Sequence, residues 1–140
     1  MIAMDNLGLA FTWSVDDSRE MAQLIALNSP PLIFTNTLAD EQEARELLES
    51  MGHEVVVLSP CMCRHTIVAL TSLGRKHNAA FICGRGWLTG WRSAIPRSVV
   101  MWGRNWSKAE VAQASLRLHG HAPFTRTFVY ASPNDQAQTP

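Results

Sequence analysis

No stretch of the 140-residue sequence approaches the ~20 consecutive apolar residues that a bilayer-spanning helix needs, so no membrane partner is expected. The first residues carry no basic segment ahead of a hydrophobic one, and no signal peptide is expected. Cysteine is scarce. Cys61, Cys63 and Cys83, with no secretory cue, predict free thiols in a reducing, cytoplasmic setting and not a disulfide framework. Internal repeats, a Ser/His/Asp arrangement, a paired-carboxylate site and a cofactor box are all missing. Cys61, Cys63 and His65 have the chemistry of metal ligands, but the second short-spaced pair of a structural zinc site does not follow, and no metal is expected. The glycine-bearing run Gly84-Arg-Gly-Trp-Leu-Thr-Gly90 lacks the Lys-Ser/Thr pair of a phosphate-binding P-loop and does not lead straight into a helix.

What is present is ordinary for a globular protein of one domain: 46% hydrophobic and 17% charged residues, enough to build a single buried core. The formal net charge of zero conceals an asymmetry. Up to residue 60 there are ten acids against Arg19 and Arg45, or 2 − 10 = −8. From residue 61 onward there are ten bases against Glu110 and Asp135, or 10 − 2 = +8. Eight of those ten bases are arginine, the side chain suited to bidentate phosphate recognition. Either the fold presents an electropositive region that attracts polyanions, or the two halves neutralise each other across it.

Residues 1–15 are weakly patterned and read as an irregular lead-in. Asp16 and Asp17 then precede Met21, Leu24, Ile25 and Leu27, a short amphipathic helix with an acidic start, which Asn28-Ser-Pro-Pro31 stops. Leu32 to Thr35 has the compact apolar character of a buried strand. Ala44, Leu47, Leu48 and Met51 then mark one face of a second helix that Gly52 terminates. Further strands are expected at Val55–Leu58, Ala79–Cys83, Ser98–Trp102 and Thr125–Tyr130, with helices from Arg64 to about Lys76 and after Ser107. Ser107 and Glu110 have capping-box spacing, and Val111 and Ala114 can face inward. Residues 132–140 form a polar tail, leaving one domain over 16–131. Strands alternating with helices predict an α/β fold in three layers, with a mainly parallel sheet of about five strands.

Two features sit where parallel sheets bind ligands. The first is the link from Gly84 to Arg97, which has no helical period and carries Trp87, Trp91, Arg85 and Arg92. Its tryptophans either stack on bases or cover the end of the sheet. The second is the helix after Ser107, where Gln113 and Arg117 share a face, suited to phosphate, to a neighbouring domain or simply to solvent. His119 and His121 follow at its end with no carboxylate nearby in sequence to orient either ring.

Together these segments resemble the second RecA-like lobe of superfamily 2 helicases and translocases, most closely the Swi/Snf-type branch. Leu32-Ile-Phe-Thr-Asn-Thr37, the acidic helix and Glu54-Val-Val-Val-Leu58 look like the motif IV region, and Arg64 stands where the family often opens its next helix with Arg. Ala80-Phe-Ile-Cys83 and the loop through Gly90 sit at motif V. Val99-Val-Met-Trp102, Trp106-Ser-Lys, Gln113-Ala and Arg117 resemble motif VI, and Phe128-Val-Tyr130 the strand after it. The resemblance implies phosphate-facing roles for Asn36, Thr37, Arg64, Thr89, Gly90, Gln113 and Arg117, with DNA or RNA as partner. It departs from the family at Gly120, where a second motif VI arginine belongs, and at Trp91 and Arg92 after Gly90. A missing arginine finger is worth orders of magnitude in rate. A first lobe with its P-loop and Asp-Glu box is also missing, so no cofactor is expected for the chain alone, and ATP/Mg only with a complementary lobe. The expectation is a stand-alone, degenerate lobe that binds nucleic-acid backbone without turning over ATP by itself. The alternative is a non-catalytic module whose Trp87, Trp91 and Arg92 dock on a replication, repair or transcription enzyme.

Overall fold

The computed structural model describes residues 2–3, 12–58, 79–85, 97–103, 106–115 and 126–131. They form a seven-stranded sheet in the order β1-β2-β7-β6-β3-β5-β4. The strands are β1 (Ile2–Ala3), β2 (Thr12–Val15), β3 (Pro31–Thr35), β4 (Glu54–Leu58), β5 (Ala79–Gly84), β6 (Ser98–Trp102) and β7 (Arg126–Tyr130). The six from β2 to β4 are parallel, and only β1 joins its neighbour antiparallel. Three helices accompany them among the described residues: α1 (Ser18–Leu27), α2 (Leu38–Ser50) and α3 (Lys108–Ser115).

The three-layer arrangement follows from alternation along the buried strands. Leu32 and Phe34 of β3, Phe81 and Cys83 of β5, and Val99 and Met101 of β6 pack with Val111 and Ala114 of α3. Their neighbours Ile33, Ala80, Ile82, Val100 and Trp102 point the other way, to Met21 and Ile25 of α1 and Ala44 and Leu48 of α2. A strand that places successive side chains on opposite faces, with both faces covered, is apolar along most of its length. β3 and β6 are buried throughout for that reason. Cys83, the one free cysteine among the described residues, is part of this core, and burial raises its thiol well above its usual range.

Local signals set the helix ends. The Asp17 carboxylate accepts the Glu20 N–H at 3.2 Å and starts α1; the Thr37 hydroxyl accepts the Asp40 N–H at 3.1 Å and starts α2. α2 closes with Gly52 at φ +85°, whose N–H donates to Glu49, while the His53 N–H donates to Leu48 across the last turn. The capping box of α3 is present in both directions. The Ser107 N–H donates to Glu110 Oε1 at 2.9 Å, and the Glu110 N–H donates to Ser107 Oγ at 3.1 Å.

Two expectations need correction. The lead-in at 1–15 is not all irregular, since Thr12–Val15 pairs in parallel with β7, Thr12 opposite Thr127 and Val15 opposite Tyr130. Its Thr-Trp-Ser-Val sequence is buried only at its two ends and is four residues long, too short and too irregular for a periodic signal. The sheet therefore has seven strands and not about five. The expected helix at 64–76 and the tail at 132–140 lie outside the described residues.

Candidate nucleic-acid interface

In a parallel sheet, ligands bind outside the carboxyl ends of the strands, where neighbouring connections leave toward opposite faces. Such a point exists here between β3 and β6, which are adjacent and paired Thr35 to Trp102. The chain leaving β3 enters α2, which packs over β3, β5 and β4 on one face. The chain leaving β6 enters α3, which packs against β6 and β7 on the other. The two connections part here, and the topological crevice between them is flanked by Asn36 and Thr37, which follow β3, and by Trp106 and Ser107, which lead into α3.

Asn36 is half-buried and Thr37 exposed, directly after the buried Thr35. Because Thr35 also pairs with Gly84, Arg85 is the next residue along the same edge. Its guanidinium reaches the far wall of the crevice. Nε lies 2.7 Å from Glu110 Oε2, Nη2 donates to Glu110 Oε1 at 3.4 Å, and Cζ stands 4.8 Å from the centre of the Trp106 ring. Trp106 is held in turn, its indole N–H donating to the Trp102 carbonyl at 3.0 Å. The Trp102 indole crosses to the other face and donates to Glu43 Oε1 of α2 at 2.8 Å. One run of side chains thus ties α2, β6, α3 and the end of β5 together around the crevice.

The edge is electrostatically divided. At its β2–β7 end the Tyr130 hydroxyl is pushed up to about 12, first by burial and then by the negative charges of Glu43, Asp17 and Asp16. Tyr130 packs edge-on to Trp102, with ring centres 4.6 Å apart. Acidic groups gather at that end, whereas Arg85 and Lys108 stand on the α3 side.

Of the residues read from the sequence as phosphate-facing, Asn36 and Thr37 reach the crevice. Gln113 is exposed in the second turn of α3, away from the cap that faces it. Arg64, Thr89, Gly90 and Arg117, with Trp87, Trp91 and Arg92, lie outside the described residues, as do Cys61, Cys63, His65, His119 and His121. No group of three or more potential metal ligands occurs among the described residues. Sequence reasoning passed over Arg85, Trp106 and Glu110 as a unit. The available signal was an arginine directly after a buried strand, and a cap glutamate whose second oxygen is spare.

No family model matches the sequence, and no curated protein does. Solved structures do. The chain is similar to the C-terminal part of the Fun30 ATPase domain, with a TM-score of 0.62 and 13% identity over 81% of this chain and 39% of that one. It is similar to the E. coli DEAD-box protein SrmB, solved bound to regulator of ribonuclease activity A, with a TM-score of 0.61, 13% identity and coverage of 90% and 78%. A third is the DEAD-box helicase domain 2 of Mss116p bound to an RNA duplex, with a TM-score of 0.60, 12% identity and coverage of 86% and 53%. At these identities the likeness is one of fold: the chain has the fold of a helicase C-terminal RecA-like lobe, and it spans well under half of the Fun30 chain.

Proposed function

We propose that the chain is a helicase C-terminal-lobe-like domain of the Swi/Snf kind that contributes nucleic-acid backbone contacts and does not hydrolyse ATP by itself. The observation that carries the reading is the switch-point crevice between β3 and β6, with Asn36 and Thr37 on its lip and Arg85 beside them. Support also comes from the helicase-lobe fold, one example of which is solved on an RNA duplex, and from the arginine-rich second half of the sequence. Asn36 and Thr37 then meet phosphates at the crevice and Gln113 meets them further along α3, together with Arg64, Thr89, Gly90 and Arg117. These 140 residues contain no P-loop, so turnover would need a first lobe, with its ATP and Mg, supplied from outside them.

The test is binding to labelled DNA and RNA as salt is raised. Phosphate contacts release counterions, so affinity should fall linearly on a log–log plot with a slope of about −0.7 to −0.9 per contact. No binding at low salt, or binding indifferent to salt, overturns the reading.

A second reading is a protein-docking module. The acidic layer of α1 and α2 suits a basic protein partner, and one similar structure, SrmB, is solved on a protein. Stable capture of a replication, repair or transcription enzyme by nuclease-treated protein would favour it.

A further inference from the structure

β3 lies between β5 and β6, so a side chain reaching from the end of β5 to the β6–α3 segment passes over the carboxyl end of β3. Arg85 does this, and its guanidinium therefore stands in the crevice itself, on the α3 side. We infer that Arg85 is a phosphate-contacting residue of this crevice, aimed by Glu110 and backed by Trp106; the inference rests on the nucleic-acid reading above.

Four observations carry it. The Arg85 side chain is 49% exposed, and an ion pair so open to water adds little to stability, so a staple explains the arrangement poorly. Glu110 holds Nε at 2.7 Å and Nη2 at 3.4 Å, and Cζ lies 4.8 Å from the centre of the Trp106 ring; together they fix the plane of the guanidinium, so that the edge turned away from Glu110 is the one that meets phosphate. Glu110 Oε1 also accepts the Ser107 N–H, so its charge is shared with the helix cap rather than spent on Arg85 alone. Finally, Gly84 has an ordinary φ, and an added Cβ there would meet nothing within 4 Å; the fold does not require glycine, which leaves the backbone before Arg85 open to close approach.

The direction of approach agrees. The α1–α2 layer is acidic and repels a polyanion, which leaves the α3 side of the crevice as the favourable one.

Anisotropy titrations of a labelled DNA duplex, its single strand and the matching RNA, over a range of salt, test the inference on the whole chain. Arg85→Ala should weaken binding about tenfold at low salt and reduce the salt slope by about 0.7 to 0.9, the loss of one phosphate contact. Arg85→Lys keeps the charge and should keep the slope, while still binding several-fold more weakly for want of the fork and the stack. Arg45→Ala removes another exposed positive charge, two turns into α2, and should change neither. If Arg85→Ala fails to fold by circular dichroism, Arg85→Gln, which keeps N–H donors toward Glu110, replaces it with the same expectation. Unchanged affinity and slope in the Arg85 variants, or an equal loss in Arg45→Ala, overturns the assignment while leaving the functional reading intact. No binding by the unaltered chain removes both.

Discussion

Raising the pH should destabilise this protein through Tyr130, and the size of the effect follows from where the ring sits. Tyr130 is 1% exposed, at the carboxyl end of β7. Burial, with Glu43, Asp17 and Asp16 nearby, moves its hydroxyl from 10.0 to about 12. The unfolded chain therefore loses this proton first. Stability contributed by the neutral phenol is complete below pH ~10 and is lost as pH rises from about 10 toward 12. Each pKa unit corresponds to about 1.4 kcal/mol, so the full loss approaches ~3 kcal/mol, and half of that is reached by pH ~11. Against a typical total of ~5–15 kcal/mol this is a large fraction. Urea unfolding followed by tryptophan fluorescence at about pH 9 and pH 11 measures it, with Tyr130→Phe as the reference. Cys83 is buried in both proteins, so its own alkaline contribution cancels in the comparison. The native protein should lose about 1.4 kcal/mol more than the variant between those two pH values. Equal losses would refute the claim that the neutral ring is held in a buried, negatively charged surrounding.

Other consequences are simpler. Ser107→Ala removes the acceptor for the Glu110 N–H and should cost about 1 kcal/mol in the same urea experiment, with no change in the cooperativity of unfolding. Gly52→Ala should cost about 1–2 kcal/mol because φ there is +85°, whereas Gly84→Ala should fold with nearly unchanged stability; melting temperatures of the pair decide this. Glu46→Gln with Glu49→Gln, both exposed on α2, should alter nucleic-acid affinity less than about twofold at physiological salt, where charges beyond ~8 Å are screened. A larger gain would mean that α2 itself faces the nucleic acid.

Much of the architecture was legible because both sheet faces are covered. Leu32–Phe34, Val55–Leu58, Ala79–Cys83 and Val99–Trp102 are unbroken apolar runs, and such short runs point to parallel strands covered on both faces or, for Val55–Val57 at the sheet edge, partly covered. The acidic start at Asp17, the capping box at Ser107 and the stop at Gly52 were equally readable, since each depends on residues within one turn, whereas the capping role of Thr37 was passed over. β2 was not, because its place is fixed by pairing with β7 more than a hundred residues later. The crevice was half visible. Asn36 and Thr37 follow their strand directly, but the meeting of Arg85 with Glu110 joins residues 25 apart through a strand order that no local pattern encodes.

The same strand order gives the charge asymmetry of the sequence a physical meaning. The acids of the first sixty residues are not spread over the surface. Eight of them, against Arg19 and Arg45, lie on α1, α2 and the residues leading into them, and both helices cover one face of the sheet. That layer repels phosphate. Its negative charge reaches the edge at Tyr130, while Arg85, at the end of β5, is held by Glu110 on the opposite face of the sheet. On the proposed reading a polyanion would be admitted from the α3 side only, and the crevice would set its orientation as well as its place. If the domain works against a second lobe, as the proposed function requires, fixing the orientation matters more than adding affinity, because a backbone held the wrong way round would meet no catalytic partner.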